Sequence, residues 1–267
     1  MVKEISNSCV ILRYLQLFED NKKFIEIGDK MQIIKDVFLV SGFPYAKHPN
    51  VYAVKGKDEL ILIDTGLDEA ELAVVNENIE YWGLSDYPIS HVLITHEHFD
   101  HCGNAHIFKK NGAKIVAGLG DADAIETGDE RTIGYAYHKE FIPCEVDIKV
   151  EDGDVIKAAD LVFEVIHVPG HTPGSVFYKL ELEGKVIFFT GDTIRVGTNC
   201  ESAFTGWSGG VDYDKDRYFE SIKKISKLKP DIILAGHWQP CLKDGWKILQ
   251  KAYTKVLLDW RQPATYV

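Results

Sequence analysis

The sequence predicts an α/β fold of layered sheets and helices, and three observations carry that prediction. Short apolar runs such as Leu60-Ile61-Leu62-Ile63, Val92-Leu93-Ile94 and Ile232-Ile233-Leu234 read as strands. Stretches with apolar residues at helical spacing, 69–82 and 215–228 among them, alternate with these runs. Four strand ends also carry a histidine or an aspartate beside glycine, proline or threonine, which suits a site assembled along one edge.

Taken in order, residues 1–30 are expected to form an N-terminal extension packed on a single domain of residues 31–267. Within the extension, Val10 to Phe18 alternates only in part, as an extra strand or an edge cover would. From Met31 the pattern sharpens into a β-meander: 32–34, 37–40, 51–54 and 59–63, each bounded by Gly, Pro, Lys or Asp. The loop 42–49 holds Phe43 and Tyr45, which either cap a core or line a pocket rim. The meander ends in Asp64-Thr65-Gly66, and Leu72, Val75 and Ile79 then fall on one side of a helix over 69–82. A strand at 91–94, a loop, a helix over about 104–111 and a strand at 114–117 follow. The polar segment 121–141 reads as a partly helical surface excursion, with His138 unassigned. Strands are expected again at 145–150, 161–168, 176–182 and 186–190, then a helix over 215–228, a strand at 231–234 and a terminal helix over 242–260. No linker, low-complexity tract or fixed-period repeat divides the chain.

Composition narrows the function. The hydrophobic share of 45% and charged share of 27% in 267 residues are those of a globular protein with a sizeable core. Thirty Lys and Arg against 41 Asp and Glu leave a formal net charge of -11, which disfavours nucleic acid as a partner. Five widely spaced cysteines, an odd number, argue against a disulfide framework and for a reducing compartment. Cys102 borders the histidine-rich loop as a ligand or, the favoured reading, a small packing residue. No apolar run approaches the roughly 18 residues of a membrane span, and Arg13 and Gln16 interrupt the early apolar stretch where a signal peptide would need continuity. A cytoplasmic enzyme acting on a small molecule, with no membrane partner, is the expectation. The extension and the terminal helix are available for a homodimer contact.

The chemistry centres on Thr95-His96-Glu97-His98-Phe99-Asp100-His101. Three imidazoles and a carboxylate at i, i+2, i+4 and i+5 cannot share one face of a helix or strand, but on a loop they can converge from two directions, as ligands of two adjacent metal ions must. Further on, Val168-Pro169-Gly170-His171-Thr172-Pro173-Gly174 presents a histidine on a rigid turn, Thr190-Gly191-Asp192-Thr193 an aspartate past an apolar strand, and Ala235-Gly236-His237-Trp238 a last histidine. Imidazole and carboxylate donors suit zinc, iron or manganese. His48, His91, His106, His138 and His167 lack such company and are read as structural or surface residues.

With His96-x-His98-x-Asp100-His101, His171, Asp192 and His237 in this order, the chain resembles the metallo-β-lactamase superfamily, over roughly Met31 to His237. The resemblance implies a four-layer αββα sandwich of two mixed β-sheets flanked by helices, with ligands at one edge. It further implies that His96, His98 and His171 hold one ion, that Asp100, His101 and His237 hold the other, and that Asp192 bridges them. Two divalent ions, zinc foremost with iron or manganese as alternatives, would bring a shared water from pKa about 15.7 toward neutrality and supply hydroxide. Asp100 would orient it and shuttle its proton, and Asp64 would fix a ligand imidazole by accepting its other N–H.

Within this superfamily, several chemistries fit less well. The cysteine ligand of some β-lactamases is missing where Asp192 stands, and flavodiiron oxidoreductases place glutamate where His98 stands. Glyoxalase II relatives carry a helical thiol-binding domain after the last ligand, whereas thirty residues follow His237. Acyl-homoserine lactonases resemble the chain in length and ligand set, but often place a tyrosine where Arg195 stands. Arg195 either holds a substrate carboxylate or phosphate or forms a structural ion pair. Phe204, Trp207, Tyr45 and Trp238 could form an apolar wall around a small organic ester or lactone. The expected activity is therefore dinuclear metallohydrolysis of a lactone or other ester-like bond. A phosphodiesterase and a mononuclear iron thiol dioxygenase or oxidoreductase of the same fold are the alternatives.

Overall fold

The computed structural model describes residues 30–41, 48–197 and 200–260. The extension 1–29 and Tyr45 lie outside the described residues, and with them the expectations placed there.

Two mixed sheets face each other. The first has seven strands in sequence order: β1 (Met31–Ile34), β2 (Val37–Leu39), β3 (Tyr52–Lys55), β4 (Leu60–Ile63), β5 (Ile89–Leu93), β6 (Lys114–Gly118) and β7 (Ile148–Val150). The meander β1 to β4 is antiparallel, as short turns dictate, and β4 to β7 are parallel because longer crossovers separate them. The second sheet has the order β14-β11-β10-β9-β8, from β8 (Val155–Ala158), β9 (Leu161–His167), β10 (Val176–Leu182), β11 (Lys185–Gly191) and β14 (Ile232–Ala235). A separate two-stranded ribbon, β12 (Ile194–Val196) with β13 (Ala203–Thr205), stands at the edge.

Strand period decides which side chain enters which layer. In β4, Ile61 and Ile63 join Tyr52, Leu93, Phe163, Tyr178 and Phe189 between the sheets, whereas Leu60 and Leu62 turn outward. The outward face meets Val75 and Ile79 of α1 (Glu69–Tyr81) and Phe108 of α3 (Ala105–Lys110), which follows the single turn α2 (Phe99–Cys102). Ile125 of α4 (Leu119–Thr127) completes that layer. On the far side, Phe177, Phe188 and Ile233 pack on Ile222 and Ile225 of α6 (Lys215–Ile225) and on Ile248, Leu249 and Val256 of α7 (Gly245–Trp260), while α5 (Gly134–Tyr137) lies in the connection after α4. The result is a four-layer αββα sandwich. Each large aliphatic side chain so buried contributes about 1.5–3 kcal/mol, and central strands apolar on both faces are how a covered sheet reads in sequence.

Three sequence expectations change. Residues 121–141 are no mere surface excursion: Asp121 is fully buried, and Ala122, Ala124 and Ile125 pack into the core. Aspartates at 121 and 123 made the stretch look solvated, although its small residues form a buried face. The histidine motif also does not lie wholly on a loop, because α2 carries Asp100 and His101. Finally, β8 and the ribbon β12–β13 were not foreseen, being three or four residues long, too short for alternation to establish a period. The described cysteines, Cys102, Cys144, Cys200 and Cys241, are free, and no helix among the described residues is long and apolar enough to cross a membrane.

Candidate metal centre

Loops that follow strands of both sheets meet at one edge. β5 leads into Thr95 to His101, the turn between β9 and β10 carries His171, Asp192 follows β11, and His237 follows β14. Donor atoms of these seven side chains fall into three overlapping groups, each within 4.8 Å: His96, His98 and His171; His96, His101 and Asp192; and Asp100, His101 and His237. All seven are buried.

The free ring atoms show what the groups fit. Nε2 of His96, His98 and His171 and Oδ1 of Asp192 are buried without a hydrogen-bond partner, a costly arrangement unless a cation satisfies them. Four of the five ligand rings are tied through their other nitrogen: His96 Nδ1 to Thr95 Oγ1 at 3.1 Å, His171 Nδ1 to the Trp207 carbonyl at 2.9 Å, His101 Nδ1 to Asp64 Oδ2 at 2.9 Å and His237 Nδ1 to the His48 carbonyl at 3.0 Å. Such ties fix each ring's orientation and tautomer. Across the second group of donors, His237 Nε2 lies 3.0 Å from Asp100 Oδ2, and His101 Nε2 lies 3.4 Å from Asp192 Oδ1. Burial, with neighbouring imidazoles adding to it, pushes His96 and His98 well down, and it brings His171 to about 4. All three are therefore neutral, the form that ligates metal. Burial raises Asp100, but His101 and His237 outweigh it and hold the carboxyl at about 2.

What holds these loops is a set of buried polar residues. Asp64, at φ 61°, accepts from the Thr95 backbone N–H at 2.8 Å and from Thr95 Oγ1 at 2.8 Å besides His101. Three buried tyrosines brace strand ends from below: Tyr52 donates to the Ala235 carbonyl, Tyr178 to the Ile94 carbonyl and Tyr218 to the Thr193 carbonyl. Gly236 lets β14 come close, since a Cβ there would stand 2.6 Å from Asp192 Oδ1. Cys102 donates its thiol to the Glu97 carbonyl, and burial pushes it well up, which suits packing and not ligation.

Sequence reasoning missed Asp121. It accepts from the Glu97 N–H at 3.0 Å, from Thr172 Oγ1 at 2.7 Å and from the Gly174 N–H, so one carboxylate joins the His96–His101 loop to the His171 turn. Burial pushes it up to about 7, against those three donors. No local signal marks it. Of the expected substrate wall, Arg195 faces Phe204 across β12–β13, its guanidinium lies 5.9 Å from the Trp238 ring centre, and Phe204 packs edge-on to Trp238 at 5.2 Å. Trp207 stands apart from them, edge-on to His98 at 6.0 Å. Arg195 Nη2 is 3.8 Å from Asp192 Oδ2, and its Nε is buried without a partner.

Of the histidines left aside, His48 is structural in an unexpected way, since its carbonyl receives His237. Its ring hydrogen-bonds Glu71 Oε1 at 2.5 Å, and that bond, against some burial, raises its pKa. With the folded value above the unfolded one, the pair stabilises the fold fully below about pH 6.5 and stops doing so as pH rises through the raised value. A His48→Gln variant is thus expected to lower Tm at pH 5.5 and to match the parent at pH 9, as followed by thermal denaturation across pH; a difference independent of pH would refute the linkage.

A sandwich of two sheets with imidazoles and carboxylates converging at the strand ends defines a metal-ligating centre of a metallohydrolase fold. Residues 45–237 match the family model of the metallo-beta-lactamase superfamily, and the chain belongs to that superfamily. It is similar to a hydroxyacylglutathione hydrolase of Pseudomonas aeruginosa (34% identity over 131 residues, 48% of this chain and 42% of that protein). It is also similar to an acyl-coenzyme A thioesterase of Bos taurus (26% over 195 residues, 64% of this chain and 66% of that protein). The chain thus spans less than half of the first relative and just under two thirds of the second. Among solved structures it is similar to BJP-1, a subclass B3 metallo-beta-lactamase of Bradyrhizobium japonicum, with TM-score 0.68 and 25% identity over 87% of this chain and 92% of that one.

Proposed function

We propose that the chain is a dinuclear metallohydrolase that opens a lactone or other ester-like bond, thioesters included, in a small molecule. One observation carries the reading: seven buried donors from both sheets fall into three overlapping groups, each tight enough for an ion. His96, His98 and His171 would hold one divalent ion, Asp100, His101 and His237 the other, with Asp192 between them; zinc suits this donor set, as do iron and manganese. When bound, the ions acidify a water to serve as nucleophile and take up charge on the carbonyl oxygen.

The chain's own groups do the rest. Asp100, held ionised, orients the water and receives its proton for delivery to the leaving oxygen or sulfur. Asp64 keeps the His101 ring in place. Arg195 and the aromatic side chains Phe204, Trp207 and Trp238 would receive the substrate, Arg195 contacting a carboxylate or phosphate. Thioesters enter because the proteins this chain is similar to include a hydroxyacylglutathione hydrolase and an acyl-coenzyme A thioesterase.

The test is a panel of lactones, oxygen esters, thioesters and bis-nitrophenyl phosphate offered to zinc-loaded protein. Turnover of an acyl substrate at least about tenfold above the phosphodiester, in kcat/KM, is expected. Preference for the phosphodiester would replace ester by phosphodiester hydrolysis; iron content with thiol-dependent oxygen uptake and no hydrolysis would refute the hydrolase reading.

A further inference from the structure

The turn that carries the last ligand, Ala235-Gly236-His237-Trp238, closes β14 of the second sheet, yet residues leading into β3 of the first sheet hold it. Asn50 Nδ2 lies 2.9 Å from the Ala235 carbonyl and 2.9 Å from the Trp238 carbonyl. The Asn50 backbone N–H donates to the Gly236 carbonyl at 2.6 Å, and His237 Nδ1 lies 3.0 Å from the His48 carbonyl. Two carbonyl acceptors settle which end of the Asn50 amide faces the turn, because only the nitrogen has two hydrogens to give. Asn50 is fully buried and its Oδ1 meets no partner among the described residues, so this side chain is placed for those two donations.

The backbone so held would not keep its shape by itself. Trp238, directly after the ligand, is left-handed at φ 67°, an outlier for a bulky residue, and such conformations persist where surrounding contacts over-determine them. On its other flank the turn has no free space, since a Cβ on Gly236 would stand 2.7 Å from His101 Cε1. The backbone of His237 is thus pinned between the other ligands and Asn50, with His237 Nε2 brought 3.0 Å from Asp100 Oδ2.

We propose that Asn50 is a positioning residue of the metal centre: by donating to the carbonyls at both ends of the turn, it fixes where His237 Nε2 points. It thereby sets how tightly the site of Asp100, His101 and His237 holds its ion. The proposal rests on the metal-centre reading above. An imidazole moves with its backbone, so a turn released from Asn50 relaxes at Trp238 and carries Nε2 away from Asp100 and His101. The side-chain hydrogen bonds of Asn50 all go to the His237 turn, so the effect falls on one ion and spares the one held by His96, His98 and His171.

The experiment compares wild type with Asn50→Ala, which removes both side-chain donors, and with Asn50→Ser, which leaves one. Competition with a chromophoric chelator reads zinc affinity, and visible absorption of cobalt-loaded protein reports the geometry of the site. Expected for Asn50→Ala are a loss of about 10–100-fold in affinity for one of the two ions and a changed cobalt spectrum, with a smaller loss for Asn50→Ser. Unchanged competition and an unchanged spectrum would overturn the proposal, as would equal loss of both ions with a lower Tm of metal-free protein, the mark of a merely structural residue. If neither variant folds, wild-type protein decides. By NMR of the metal-free form, the Asn50 side-chain amide hydrogens are expected to exchange with solvent at least about 100-fold more slowly than those of the exposed Asn111, and equal exchange would overturn the proposal. None of these readouts uses a substrate: selective loss of one ion in protein that cleaves no ester would sink the ester reading and leave the role of Asn50 standing. A wild type that binds no divalent ion would overturn both.

Discussion

Protein stripped by a chelator is expected to lose hydrolysis by a factor of at least about 10³ and to regain it when zinc is returned, because acidification of water and charge uptake at the carbonyl both leave with the ions. Asp192→Asn should cost a comparable factor with the other ligands intact: Asp192 stands between the groups, 3.4 Å from both His101 Nε2 and His237 Nε2. Stability should follow. His96 to His101 come from the first sheet and His171, Asp192 and His237 from the second, so bound ions cross-link the layers. At free zinc about a thousandfold above its dissociation constant, binding adds about 4 kcal/mol. Calorimetry with and without chelator, paired with a turnover assay, measures both effects; full activity after the ions are shown by elemental analysis to be gone would refute the mechanism.

The second large effect is expected at Asp121, away from any donor atom of the centre. Asp121→Ala leaves the Glu97 N–H and the Gly174 N–H in a dry interior with nothing to receive them, and the Thr172 hydroxyl with Ser175 Oγ alone. An orphaned buried donor costs about 1–3 kcal/mol, so the variant should lose at least about 3 kcal/mol, or roughly 10 °C in Tm for a domain of this size. It should also bind zinc less tightly, since His171 and the His96–His101 loop lose their common anchor. Asp121→Asn should not rescue it, because the amide nitrogen turns a donor toward donors. A change below about 1 kcal/mol in chemical denaturation would show that water satisfies the three groups.

How legible the molecule is from its sequence depends on the range of the interaction. Strands such as Leu60–Ile63 and Ile232–Ala235 announce themselves through uninterrupted apolar residues, and the ligands through spacing within seven residues or through strand-end turns. Asp121 acts on partners brought near only by folding, Thr172 among them, and the local chain around it looks like ordinary solvated polymer. The ribbon β12–β13 escaped because each strand is three residues long, too short for the buried Ile194, Val196 and Ala203 to set a period. Arg195 was visible as a residue out of pattern, but its neighbours Phe204 and Trp238 became a wall only once the ribbon existed.

The three tyrosines beneath the strand ends bear on how the protein matures. Tyr52, Tyr178 and Tyr218 donate to carbonyls of the chain itself and call on no ion. In small metal-dependent domains the ion drives the chain to fold, and the apo form is a coil. Here two packed sheets and these hydroxyls hold the carriers of the ligands without an ion, so the chain is expected to fold before it is loaded. The ordering entropy of seven side chains is largely met during folding, and an arriving ion finds its donors already gathered.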